Sequence, residues 1–167
     1  MARPTSDPAH VRWLELALSE AEKCTATPTA FCVGCVIVSH ATSTSPSVLL
    51  STGYSRELPG NTHAEANAID KLFASDPTRA ASLLKGASIY TTMEPCSVRL
   101  SGNKPCVERC IEMGFANVYM GVEEPNDFVA CQGTRKLREC GADVWVVVRE
   151  GLREACLAEA RRGHDIQ

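Results

Sequence analysis

The sequence predicts an α/β fold, a three-layer α-β-α sandwich around a five-stranded mixed sheet. Three observations predict it. Segments of helical and strand periodicity alternate along the chain after an initial pair of strands, an order that places helices on both faces of one sheet. The 167 residues are 44% hydrophobic and 22% charged, enough apolar material and length for one domain with a proper core. No internal repeat and no linker divides the chain, so one domain over 1–167 is expected.

The elements follow in order. Residues 7–23 read as an amphipathic helix, with Val11, Leu14, Leu18 and Ala21 at helical spacing and Ser6 or Asp7 as the cap before Pro8. Residues 33–38 form a short β-branched apolar run and read as a buried strand. A Ser/Thr/Pro loop over 39–47, long for a hairpin and expected to protrude, leads to a second strand at 48–52. These two strands can pair antiparallel. Pro59-Gly60-Asn61 marks a turn, and helical spacing returns over 63–73 through Ala64, Ala68, Ile69 and Leu72. A short helical piece at 80–84 precedes a third strand at 87–92. Residues 93–104 read as loop, followed by a helix over 107–113 that stops at Gly114. A strand at 117–122, a helix at 133–140 stopped by Gly141, a fifth strand at 143–148 and a helix at 152–162 complete the order. The later strands are expected to connect by right-handed crossovers.

Charge and cysteine usage narrow the function classes. Net charge is −3 and the pI about 5.8, and no basic stripe stands out. The basic runs at Arg135-Lys136-Leu137-Arg138 and Arg161-Arg162 have acidic neighbours and read as solvated helix faces. A small-molecule substrate is favoured over nucleic acid. The nine cysteines are odd in number, in a chain too core-rich for a disulfide miniprotein. Met1 to Pro8 is polar and carries no apolar run of a secretory signal. No apolar stretch approaches the ~20 residues that span a bilayer. A reducing, cytoplasmic setting without membrane contact is expected, with most thiols acting as small core hydrophobes.

Three segments carry chemistry: Thr62-His63-Ala64-Glu65, Met93-Glu94-Pro95-Cys96 and Lys104-Pro105-Cys106. Each precedes or opens a helix on one side of the sheet, at the carboxyl ends of the strands where open α/β sheets bind ligands. Zn²⁺ suits His63, Cys96 and Cys106, because catalytic zinc takes three imidazole or thiolate ligands and keeps one position for water. Cys106 follows Pro105, a residue favoured in a first helical turn, and a helix N-terminus favours thiolate. Zinc brings the pKa of its water from ~15.7 toward ~7. Glu65 lies two residues after His63, a spacing that in mid-helix separates side chains by about 200°. The two share a site only if the helix begins near His63. Glu65 is then a proton shuttle rather than a ligand.

Each piece alone is weak: His-Ala-Glu on a helix is usually surface, and Pro-Cys is common. His-x-Glu, then Pro-Cys about thirty residues later, then a third cysteine at a helix start is the pattern of zinc deaminases, except that nine residues separate Cys96 from Cys106 where two are usual. Two decoys compete. Cys32-Val33-Gly34-Cys35 has zinc-ribbon spacing but sits at a strand entry, where core packing is favoured. Cys110, one turn after Cys106, would close the site as a fourth ligand and make it structural.

These residues resemble the cytidine deaminase-like superfamily and, within it, the riboflavin-pathway pyrimidine deaminases. The resemblance begins at Val33 to Val38 and runs through Gly60 to Glu65, Tyr90 to Ser97, Gly102 to Cys106, Glu124-Pro125-Asn126 and Gly141 to Val144. The long Cys96–Cys106 loop is similar to the fungal form. The resemblance implies hydrolytic deamination of a phosphorylated ribitylamino-pyrimidinone, with the reductase on a separate protein and a homodimer as the working form. Asn61, on the turn entering the site, is a candidate for base or ribityl contact, and Arg56, Arg99, Asn103 and Lys104, on loops bordering the metal segments, are candidates for the phosphate. Thr29-Ala30-Phe31 and Arg56 depart from the bacterial pattern where the sugar phosphate would lie, and Glu124 replaces the more usual aspartate. Another nucleobase, nucleoside or tRNA deaminase, or a non-catalytic zinc-binding partner subunit, stands as the alternative.

Overall fold

The computed structural model describes residues 2–42, 44–99, 101–123 and 132–164. Its elements are β1 (Arg3–Thr5), α1 (Pro8–Ala21), β2 (Gly34–Val38), β3 (Leu49–Tyr54), α2 (Ala64–Ser75), α3 (Ala80–Leu84), β4 (Ser88–Met93), α4 (Cys106–Met113), β5 (Asn117–Val122), α5 (Gly133–Glu139), β6 (Asp143–Val147) and α6 (Leu152–Ala160). The strands form one sheet in the order β1-β6-β5-β4-β2-β3. β2 runs antiparallel to both β3 and β4, while β4, β5, β6 and β1 are mutually parallel.

The sheet has six strands where the sequence predicts five. The extra one, β1, is three residues long, lies on the edge beside β6, and is mostly exposed. It therefore carries no apolar alternation, and its Pro4 is a residue that sheets accept only at such an edge. Its anchor is tertiary: the Arg3 guanidinium lies 4.0 Å over the Trp145 ring and pairs with Asp143.

Alternate strand residues face opposite layers, as the pleat requires. Cys35, Ile37, Ile89, Val118, Met120 and Val144 pack with α2, α3, α4 and α5. Val36, Val38, Tyr90, Tyr119 and Val147 pack with α1 and α6. Two strand glycines allow the helices to sit close. A Cβ on Gly34 would lie 1.9 Å from the Ala17 carbonyl oxygen of α1, and one on Gly53 would lie 2.3 Å from that of Ala64 in α2. The second contact fixes the start of α2 against the end of β3.

Local signals act where expected. The Asp7 side chain accepts from the Ala9 N–H at 2.8 Å with Pro8 opening α1, and α4 ends at Gly114 with φ 72°. The described part of the 39–47 segment is mostly exposed, closed at its base by Ser39 N–H donating to the Val48 carbonyl. No helix of the described residues is long and apolar enough to cross a membrane.

Candidate metal centre and active site

The carboxyl ends of β3 and β4 and the first turns of α2 and α4 meet at one place. α2 begins at Ala64 with His63 as its N-cap residue, in extended conformation. Glu65 therefore sits in the first turn, the placement that lets both side chains share a site. α4 begins at Cys106, with Pro105 as its N-cap. Its first free N–H groups are turned on the loop that follows β4: Cys106 N–H approaches Cys96 Sγ at 3.4 Å, and Val107 N–H donates to the Cys96 carbonyl at 3.2 Å. A helix start thus satisfies its orphan donors on a candidate ligand residue and favours that residue's thiolate.

The ligand atoms of His63, Cys96 and Cys106 lie within 4.8 Å of one another. His63 Nδ1 is 3.4 Å from Cys96 Sγ and 3.5 Å from Cys106 Sγ. Tetrahedral zinc bonded to one nitrogen and one sulfur holds them about 3.6 Å apart. The donor set and its spacing therefore fit zinc. Cys110 is fully buried with its thiol pushed well above the ordinary value, first by burial, and is not part of this cluster. Cys32 and Cys35 are buried apart from it too, Cys35 within the core under α2.

The electrostatics suit a proton-handling metal site. The Cys96 thiol is drawn down to about 4, first by its hydrogen bond with the Cys106 thiol, with His63 and the Cys106 N–H adding and burial opposing. Cys106 is pushed well up by the same hydrogen bond and then by burial. Metal binding to a pair of cysteines displaces their thiol protons, so affinity for the metal rises with pH. Glu65 is 3% exposed, and its carboxyl is raised above the ordinary value, first by burial and then by the Cys96 charge. Thr91 Oγ1 donates to Glu65 Oε1 at 3.4 Å from the neighbouring strand. A buried carboxyl with raised pKa beside a metal triad is equipped to take a proton and return it.

His63, Glu65 and Cys96 line a cleft of about 190 Å³. Asn61, Arg56 and Arg99 line it as well. Asn61 has φ 50°, in the left-handed region that asparagine tolerates, and its carbonyl accepts from Arg99 at 2.5 Å across the cleft mouth. Arg56 has φ 63°, and its guanidinium is already engaged, donating to the carbonyls of Phe31 at 3.0 Å and Thr25 at 2.6 Å. Asn103 and Lys104 do not line the cleft. Both are exposed, and Lys104 pairs with Glu112 of α4 at 2.5 Å. Glu124-Pro125-Asn126 lies outside the described residues.

Sequence reasoning did not single out several cleft residues: Ser55, Val98 and Ser101, with Val33, Met93 and Glu94 noted only as parts of longer motifs. Glu94 Oε1 accepts the Thr134 N–H at 2.6 Å, which ties the metal loop to the start of α5. The same approach requires a glycine at 133, where a Cβ would lie 2.3 Å from the Pro95 carbonyl oxygen. The departure at Thr29-Ala30-Phe31 was the one available signal for the opposite wall, since all three residues line the cleft.

A family model for the cytidine and deoxycytidylate deaminase zinc-binding region matches residues 8–122. Diaminohydroxyphosphoribosylamino-pyrimidine deaminase of Schizosaccharomyces pombe is 44% identical over 155 residues, covering 93% of this chain and 36% of that protein. Riboflavin biosynthesis protein RibD of Actinobacillus pleuropneumoniae is 35% identical over 124 residues, 74% of this chain and 28% of that one. Rib2 deaminase of Aspergillus oryzae, solved alone and in complex with DARIPP, superposes with a TM-score of 0.80 at 36% identity, over 93% of this chain and 92% of that one. The chain spans about a third of the length of the curated relatives it matches.

Proposed function

The chain belongs to the cytidine and deoxycytidylate deaminase zinc-binding family, and from that premise we propose that it hydrolytically deaminates a phosphorylated ribitylamino-pyrimidinone of the riboflavin pathway. The observation that carries the reading is the meeting of His63, Cys96 and Cys106 in one cluster, with His63, Cys96 and a buried Glu65 lining the cleft beside it. Its substrate class rests on the relatives' names, the Aspergillus complex with DARIPP and the long Cys96–Cys106 loop.

His63, Cys96 and Cys106 would hold the zinc, which when bound supplies the Lewis acidity that makes hydroxide available at neutral pH. Glu65 takes a proton from the attacking water as the C–O bond forms at the ring carbon bearing the amine. It gives that proton to the ring nitrogen, then takes the remaining proton from the new hydroxyl and passes it to the amino group; the C–N bond breaks, the carbonyl forms, and ammonia leaves. Thr91 and the first turn of α2 hold the Glu65 carboxyl at the reacting face. Asn61 is assigned to the base or ribityl chain, and Arg99 at the cleft mouth to the phosphate. Asn103 and Lys104 would reach a phosphate only outside the cleft, and Arg56 only beyond its present carbonyl partners. The working form retained is a cytoplasmic homodimer, to be checked by sedimentation and cell fractionation.

The deciding experiment compares ammonia release from ribityl and ribosyl pyrimidine phosphates, each with and without its phosphate. Preference for the ribityl phosphate is expected. Preference for a ribosyl compound, or for cytidine or its nucleotides, would reassign the substrate.

A further inference from the structure

We propose that the chain just beyond α6, through Arg162 and His164, is a clamp that positions the apolar wall of the cleft and so sets affinity for the substrate's heterocycle. The word substrate rests on the deaminase reading above; the clamp itself rests on geometry.

The wall is the segment 25–33, which contributes Thr29, Ala30, Phe31 and Val33 to the cleft. Apart from one bridge between Thr27 and Ala30 it has no regular pairing. An irregular segment is held where its backbone groups find partners elsewhere. Here two of them, the Cys32 N–H and the Ala30 carbonyl, find partners some 130 residues away in sequence, and the chain entering the segment is held from the same side. Cys32 N–H donates to the Ala160 carbonyl at 2.9 Å. Arg162 donates to the carbonyls of Cys24 at 2.7 Å and Glu22 at 3.2 Å, while its Nε is oriented by Glu159 at 2.7 Å. His164 Nε2 lies 3.2 Å from the Ala30 carbonyl, which can only accept, so Nε2 carries the proton. The same imidazole lies against the Phe31 ring, centroids 5.3 Å apart. Gly163, with φ 90°, turns the chain into this contact, where a Cβ would lie 2.9 Å from that of Ala26.

Neither Arg162 nor His164 lines the cleft. Both act through the wall and are positioning residues: His164 holds Phe31 and Ala30 in the cleft that Met93 and Val98 also line, and Arg162 holds the chain that leads into the wall. Both also stand outside the matched family region, which ends at residue 122. The clamp therefore lies beyond the zinc-binding region that the family model matches.

The test uses the full chain loaded with zinc and the variants His164→Ala, His164→Phe, Arg162→Ala and Arg162→Lys. Metal content, KM, kcat and amide hydrogen exchange of 25–33 are measured together. For His164→Ala the expected result is faster exchange in 25–33 and a KM raised about tenfold, the scale of one lost hydrogen bond and one ring contact, with kcat within about twofold. Zinc content is expected to stay unchanged. His164→Phe, which keeps the ring contact, is expected to recover part of the KM, and Arg162→Lys to be milder than Arg162→Ala. Unchanged exchange in both alanine variants would overturn the clamp. Faster exchange with unchanged KM, or loss of zinc and kcat at constant KM, would overturn its role in affinity. If the unaltered protein deaminates no pyrimidine phosphate, the functional reading fails, and the exchange data alone decide the clamp.

Discussion

The floor and the wall of the cleft are built in opposite ways. The floor, with His63, Glu65, Cys96 and Cys106, stands on the first turns of α2 and α4 and the end of β4, and its key side chains are largely buried. Its contacts come from regular elements whose geometry is set within a few residues. The wall, Thr29 to Phe31, is irregular and held by Arg56 on Phe31 from one side and His164 on Ala30 from the other, with Arg162 holding the chain that leads into it at Cys24. The contrast separates the two tasks of an enzyme site. Chemistry demands ligand atoms fixed to fractions of an ångström, which helix starts and strand ends provide. Recognition of a particular ring and sugar can be carried by a loop whose position long-range bonds set.

The largest test of this contrast is removal of a floor ligand. Cys106→Ser is expected to lose zinc and to bring ammonia release to background, whereas Cys110→Ser, outside the cluster, should keep its zinc; atomic absorption on both proteins reads the outcome. Loss of metal from the Cys110 variant instead would make the centre a closed structural site. Next, Glu65→Gln should retain zinc and lose about 10²- to 10⁴-fold in kcat, the range general acid–base groups supply. Near-normal turnover with full zinc would remove Glu65 from the mechanism.

The third test acts on the floor's support. Gly53→Ala forces a methyl group toward the Ala64 carbonyl and is expected to destabilise the fold by about 1–3 kcal/mol in urea denaturation, as overpacking does. On the wall, Arg56→Ala should raise KM about tenfold with zinc intact, the cost of charge-assisted hydrogen bonds to two carbonyls. Arg56→Lys distinguishes the reasons. Full rescue would mean that charge matters, as for a phosphate contact, and poor rescue that the planar fork on Thr25 and Phe31 matters. The smallest effect is expected from Lys104→Ala, since this lysine sits outside the cleft and pairs at the surface with Glu112. A KM change beyond about fivefold there would extend the substrate site past the cleft, because exposed pairs contribute at most about 1 kcal/mol.

Much of the floor was legible in the chain itself. Pro105 before Cys106 and the turn before His63 announce two helix starts, and the two-residue spacing of His63 and Glu65 makes sense only at such a start. The layers were legible as well, because strand alternation and helical spacing are local patterns. What escaped was whatever has no local pattern. β1 is too short and too exposed to show periodicity, so five strands were expected where six exist. Arg56 and Lys104 looked alike as basic loop residues, yet one is spent on backbone carbonyls in the cleft and the other on an outward ion pair.

The sequence by itself determined which atoms can bind the metal, which carboxyl stands beside them and where the helices that present them begin, because residue type, capping and spacing act over a few residues. Only the tertiary structure decided that Cys110 stays out of the cluster, that Arg3 and Trp145 make a sixth strand, and that residues 162–164 brace a wall formed near residue 30. The first depends on how α4 sets its turns against α2 and the loop after β4, the other two on packing between segments more than a hundred residues apart, and no local rule of propensity or spacing carries that information.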